Sequence, residues 1–282
     1  MKTNRTIKEI YNAPVVMMGN IKLRQAFPLP ELQQISPFIL LHHFDFNIKP
    51  NDEAFYVAPH PHRGFSPVTF MFDGQVEHKD SLGNQQVIGS NEVQWINAGR
   101  GIIHSERADS EFVKQGGRYR GIQLWINTPK ALKMEPASYQ PITTQELKII
   151  QENGVEIRLV SGELEGLKGP AKSEVITAMM RMDSGSSYTL NLDNSEHVTI
   201  YILEGDLEIN QQTQANQHQL IWFDSSTGAI HLKAQSNAVL LLMAGNPIDE
   251  PLVSYGPFVM NSQTEIMEAM KDYQQGKMGF LY

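Results

Sequence analysis

Short apolar runs of strand length recur along the whole chain. The segments 68-VTFMF-72, 92-EVQWI-96, 121-GIQLWI-126, 155-VEIRLV-160, 175-VITAMMRM-182, 198-VTIYIL-203 and 238-AVLLLMA-244 are rich in β-branched and aromatic residues, which fit a pleated, half-buried surface. Turn signals separate them: Asp73-Gly74, Leu82-Gly83-Asn84, Glu204-Gly205-Asp206 and Ala244-Gly245-Asn246. Strong helical periodicity appears at one place, 262-SQTEIMEAMKDYQQG-276. There Ser262 precedes Glu265 by three positions, a capping box, and the run closes on Gly276. Ile266, Met270 and Tyr273 fall on one face of that helix and predict a stripe docked on the body. The pattern is all-β with a C-terminal helix.

The chain also repeats itself. The segment 68-VTFMFDGQVE-77 resembles 198-VTIYILEGDLE-208, and 95-WINAGRGIIH-104 aligns with 222-WFDSSTGAIH-231 at a constant offset of 127. A period this long points to duplication of a whole β domain rather than to short stacked repeats. The join is expected near 129-PKALKMEPASYQPI-142, which is poor in strand signals and carries three prolines. The expected division is 1–135 and 136–282.

Bulk properties narrow the chemistry. The chain of 282 residues is long enough for two cores without covalent staples. It has no cysteine, which removes disulfides, thiolate metal sites, iron–sulfur clusters and thiol nucleophiles. That absence also fits a cytoplasmic setting. Net charge is −8 and no Lys/Arg cluster stands out, so direct nucleic-acid binding is disfavoured. No run approaches a membrane span, and the first residues lack the apolar stretch of a signal peptide.

Within this frame two pairs of residues stand out. In 58-APHPHRGF-65, His60 and His62 lie at i and i+2, so an extended chain aims both imidazoles at one face. Pro61 lacks an N–H, which places the pair at a strand start or edge. His104 and Glu106, after 99-GRGII-103, repeat the spacing. If the two strands are neighbours, three imidazoles and a carboxylate converge, a donor set for one divalent transition metal. Calcium and magnesium prefer all-oxygen shells. Zinc with four protein ligands would make a closed structural site. Fe(II) is the first choice, with Ni, Cu, Mn or Zn as alternatives.

The runs HPHRGF, EVQWINAGRGIIHSE and YGPFVMNSQTEIMEAMKDYQQGKMG are similar to the pirin family of bicupins, and the similarity extends over essentially the whole chain. The resemblance implies two tandem cupin domains, jelly-roll β-barrels. The first would be the metal-binding domain, with non-haem iron on His60, His62, His104 and Glu106. It further implies a dioxygenase of quercetin 2,3-dioxygenase type, acting on a flavonol-like or other small aromatic substrate with O₂. Glu106 would then be a ligand that also takes a substrate proton. A non-enzymatic alternative is an iron-dependent redox sensor that docks on a regulatory protein partner. The second domain is expected to be degenerate and metal-free. His231 matches His104 there, but Lys233 replaces the carboxylate, and Leu190 and Leu192 lie near the positions matching His60 and His62.

Other residues have plainer expectations. Trp95 and Trp125 are assigned to core packing, with lining of the pocket mouth as the alternative. Arg63 is assigned to a surface ion pair or to an anionic substrate, and His78 to a solvated hairpin, with a fifth ligand as the alternative. His42 and His43 diverge in a strand and are set aside.

Overall fold

A computed structural model describes residues 4–52, 55–192 and 194–281. The expected strands form: Phe65–Asp73, Val93–Asn97, Gly117–Asn127, Val155–Ser161, Ile176–Met182, His197–Glu204 and Ala238–Gly245 each overlap a predicted run to within one residue at its start. The architecture is mainly β, as expected, with a C-terminal helix over Gln263–Gln274. No helix among the described residues is long and apolar enough to cross a membrane.

Duplication is visible in the sheet order. One sheet runs through Val93–Asn97, Phe65–Asp73, Gly117–Asn127 and Phe38–Ile48, and a second through Gln219–Phe223, His197–Glu204, Ala238–Gly245 and Ile176–Met182. Each is accompanied by a four-stranded sheet. The first of these orders Tyr56–His62, Ile102–Ala108, Val76–Asp80 and Gln85–Ile88, and the second Ser187–Asn191, Ala229–Ala234, Leu207–Ile209 and Thr213–Ala215. Strands facing solvent on one side alternate, as Ser187–Asn191 does, whereas Ala238–Gly245 is buried at every residue.

The two compact units are not consecutive lengths of chain. One comprises the chain up to Val16, Arg24–Ser36 and Thr144–Pro247; the other comprises Met17–Leu23, Pro37–Thr143 and the chain from Ile248 onward. This differs from a cut at 135/136 because both ends cross over. Ile7–Asn12 pairs with Gln219–Phe223, burying Ile7 and Ile10 against the second core. The C-terminal segment packs Phe258, Met260, Ile266, Ala269 and Met278 with Ile103. The proline-bearing join is itself structured. Ser138–Ile142 pairs residue for residue with Val93–Asn97, and Pro141 is tolerated because this strand is a sheet edge.

Candidate metal centre

Three adjacent strands build the site. Tyr56–His62 is an edge strand, as Pro61 requires, and pairs antiparallel with Ile102–Ala108, His60 lying opposite His104. A register shift between His104 and Glu106 interrupts that pairing. The far edge of Ile102–Ala108 pairs with Val76–Asp80, which sets Asp80 opposite His104 and His78 opposite Glu106. Since i and i+2 share a face, His60/His62, His104/Glu106 and His78/Asp80 form three pairs turned to one side of the sheet. The structure thus groups His60 and His62 with His104, groups Glu106 with His104 and His78, and so adds a third pair.

Ring centroids of His60 and His104 are 4.3 Å apart, those of His60 and His62 4.8 Å, and those of His62 and His104 5.0 Å. One donor atom from each of these three histidines lies within 4.8 Å of the others, and the same holds for His78, His104 and Glu106. His60 Nδ1 donates to Ala58 O at 2.9 Å and His62 Nδ1 approaches Pro257 O at 3.4 Å. These carbonyls fix the protonated nitrogen and leave Nε2 as the bare donor in each ring. Burial first, then neighbouring imidazoles, hold His62 and His104 well below the ordinary histidine pKa.

His62 Nε2, His78 Nδ1 and both ring nitrogens of His104 are buried without a hydrogen-bond partner. Orphaned buried polar atoms each cost about 1–3 kcal/mol. A cation held between these rings would take one lone pair from each imidazole it meets, so the residues present fit a divalent metal. Accessibility is graded: His104 and His78 are fully buried, His62 nearly so, and His60 half-buried. The half-buried Trp125 stands 5.2 Å from His62 and 4.4 Å from Phe65, giving the open side of the site an aromatic wall.

Glu106 is oriented from the other sheet of the same unit. Gln94 and Thr69 donate to Oε1, Thr69 at 3.4 Å, and Gln123 donates to Oε2 at 3.4 Å. Gln94, Thr69 and Gln123 are cross-strand neighbours, so they form one polar row across three strands. Sequence reasoning missed all three. Their signal was a polar residue inside each of VTFMF, EVQWI and GIQLWI, where an apolar one was expected.

Several plainer expectations need correction. His78 is no solvated hairpin residue: it is fully buried, bonds Asp80 Oδ2 through Nε2 at 3.0 Å, and stacks on Tyr139 at 4.2 Å with an 8° interplanar angle. Tyr139 lies on the edge strand that the prolines disguised. Arg63 is no surface residue either. Its side chain is 4% exposed, its Nε donates to Arg100 O, and its Nη2 meets Asp272 Oδ2 at 3.0 Å. Trp95 is a core residue as expected. His231 is half-buried and bonds Thr189, while Leu190 and Leu192 are core residues of the second unit.

Residues 20–126 match the Pirin family and residues 177–279 match the Pirin C-terminal cupin domain. A pirin-like protein of Caulobacter vibrioides is 32% identical, the alignment covering 98% of this chain and all of that protein. Pirin-1 of Arabidopsis thaliana is 36% identical, over 87% of this chain and 84% of its own length. Among solved structures, quercetin 2,3-dioxygenase from Acinetobacter baumannii superposes with a TM-score of 0.93 at 32% identity, covering 99% of this chain and 100% of its own.

Proposed function

The chain belongs to the pirin family, and on that premise we propose that it is a metal-dependent dioxygenase of quercetin 2,3-dioxygenase type. The observation that carries this is the set of buried, partnerless imidazole nitrogens converging with one carboxylate. The whole-chain likeness to a quercetin 2,3-dioxygenase supports it. His60, His62, His104 and Glu106 would hold the metal, with Fe(II) the first candidate for a mixed nitrogen and oxygen donor set. When bound, the metal supplies a coordination point for substrate oxygen atoms and for O₂.

The chain's own residues do the rest. Trp125 and the half-buried edge of His60 form the side from which a flat aromatic substrate enters, the indole offering it a face. Glu106 accepts two hydrogen bonds on Oε1 and one on Oε2, so Oε2 keeps the freer lone pair. That oxygen is the one placed to take the proton of a substrate hydroxyl. Burial of His104 and His62 keeps bulk water from the inner side.

The test is aerobic turnover of quercetin by protein loaded separately with Fe(II), Ni(II), Cu(II) or Mn(II), with metal content measured in parallel. Oxygen uptake that depends on the metal and is lost in His62→Ala is the expected result. Glu106→Gln should lower turnover more than metal content. A fully metallated protein without oxygen uptake on quercetin or related flavonols would refute the reading.

A further inference from the structure

The third residue pair is built like a ligand pair. The Asp80 carboxylate can only accept, so the His78 Nε2 that meets it carries the hydrogen, and Nδ1 is left without a hydrogen-bond partner. Nothing lets the ring turn away. Asp80 Oδ1 accepts Leu82 N at 2.9 Å and Asn84 N at 3.0 Å, its Oδ2 accepts Asn84 Nδ2 at 2.8 Å, and Tyr139 covers one face of the imidazole. A histidine that gives one N–H to a fixed carboxylate and keeps its other nitrogen bare has the arrangement of an oriented metal ligand. A histidine buried only for packing would leave Nδ1 unsatisfied, at a cost of about 1–3 kcal/mol.

Two donor triads meet at one residue. His60, His62 and His104 form one, and His78, His104 and Glu106 form the other. His104, common to both, has two ring nitrogens without a partner. We propose that this centre offers a metal ion a second, inner position on His78, His104 and Glu106, overlapping the outer one on His60, His62, His104 and Glu106. The inner position rests on the metal reading of the site given above. Its two nitrogens and one oxygen suit borderline divalent ions such as Fe, Co, Ni, Cu or Zn, and not calcium or magnesium. The outer position includes the half-buried His60 and the His62 that faces Trp125, whereas the inner one draws only on buried side chains.

Co(II) is the probe, because its visible absorption reports the ligand set as well as occupancy. Full-length protein is titrated by equilibrium dialysis as wild type, His60→Ala/His62→Ala, His78→Gln, and the triple variant. The double variant should retain one Co(II), weakened on the order of ten- to hundredfold and with an altered spectrum. Adding His78→Gln should abolish that binding, and His78→Gln alone should remove the inner component from the wild-type spectrum. The proposal is overturned if the double variant binds no more Co(II) than the triple variant. It is equally overturned if His78→Gln leaves the spectrum unchanged. Wild-type protein that binds no Co(II) overturns the metal reading itself, and the inner position with it. Far-UV melting of each variant checks folding; should the double variant fail to fold, the spectrum of His78→Gln against wild type decides.

Discussion

Lys133 gives the sharpest test of how the site strands are held. Its side chain is 1% exposed, and Nζ donates to Gly64 O at 2.5 Å, Asn127 Oδ1 at 2.7 Å and Val259 O at 2.9 Å. An ammonium has three N–H donors, and here each has an acceptor. The contact joins Gly64, two residues after His62, to the C-terminal segment of the same unit. Lys133→Met keeps the stem and removes the donors. Orphaning three acceptors at about 1–2 kcal/mol each costs about 4 kcal/mol. Against this, burial first, opposed by Glu250 and Glu265, lowers the Lys133 pKa from 10.5 to about 8. At about 1.4 kcal/mol per pH unit, releasing the buried charge returns about 3 kcal/mol, leaving a net loss of about 1 kcal/mol at pH 7. The stronger signature is the pH dependence. Between pH 8 and 10.5 the unfolded lysine binds more protons than the folded one, so wild-type stability rises relative to the variant, by up to about 3 kcal/mol. Paired urea melts of wild type and variant at pH 7, 8, 9 and 10 measure this, and the difference cancels other titrating groups. A gap that stays constant or narrows with rising pH would refute the reasoning.

Asp272→Asn removes the carboxylate shared by Arg63 and Lys277 and should cost about 1–2 kcal/mol in a urea melt, because the buried guanidinium loses its counter-charge. The Lys277 hydrogen bond first, opposed by burial and aided by Arg63, holds Asp272 below the ordinary carboxylate range. Its contribution is therefore present above that range, and the gap to the variant should close as pH falls below about 4. Gly101→Ala should destabilise by about 2–3 kcal/mol, since φ is +137° and the new Cβ would stand 2.4 Å from Met278 Cγ. Truncating Met278 in that background should relieve the clash but not the backbone strain, leaving part of the melting deficit. Tyr139→Ala should weaken Co(II) binding several-fold by freeing the His78 ring, whereas Tyr139→Phe should match wild type, because the stack remains and the hydroxyl has no partner.

What was legible in the sequence is what short-range pattern encodes. A strand declares itself by β-branched and aromatic runs, and a pair such as HPH or HSE by a spacing that any extended chain converts into a shared face. His78-Lys79-Asp80 has that same spacing, yet a hairpin position beside Asp73-Gly74 made solvent the natural expectation. Only the pairing of Val76–Asp80 with Ile102–Ala108 shows otherwise. The polar row of Thr69, Gln94 and Gln123 was hidden differently: three strands far apart in sequence must first be laid side by side. Pro141 concealed the strand bearing Tyr139, because an edge strand tolerates a residue that a central one rejects. The tail is the instructive case. Its helix and cap were readable from Ser262 and Glu265, and its docking stripe from Ile266 and Met270, whereas Tyr273, expected on the same stripe, is exposed. Where it docks was not, since no local pattern says that Pro257 O will approach His62 or that Asp272 will meet Arg63. Two residues of one motif, His62 and Arg63, are thus oriented by a segment 195 to 209 positions later in the chain. The candidate metal centre is encoded locally in its donors and globally in what aims them. Substitutions in the tail should accordingly change metal affinity without touching a single ligand.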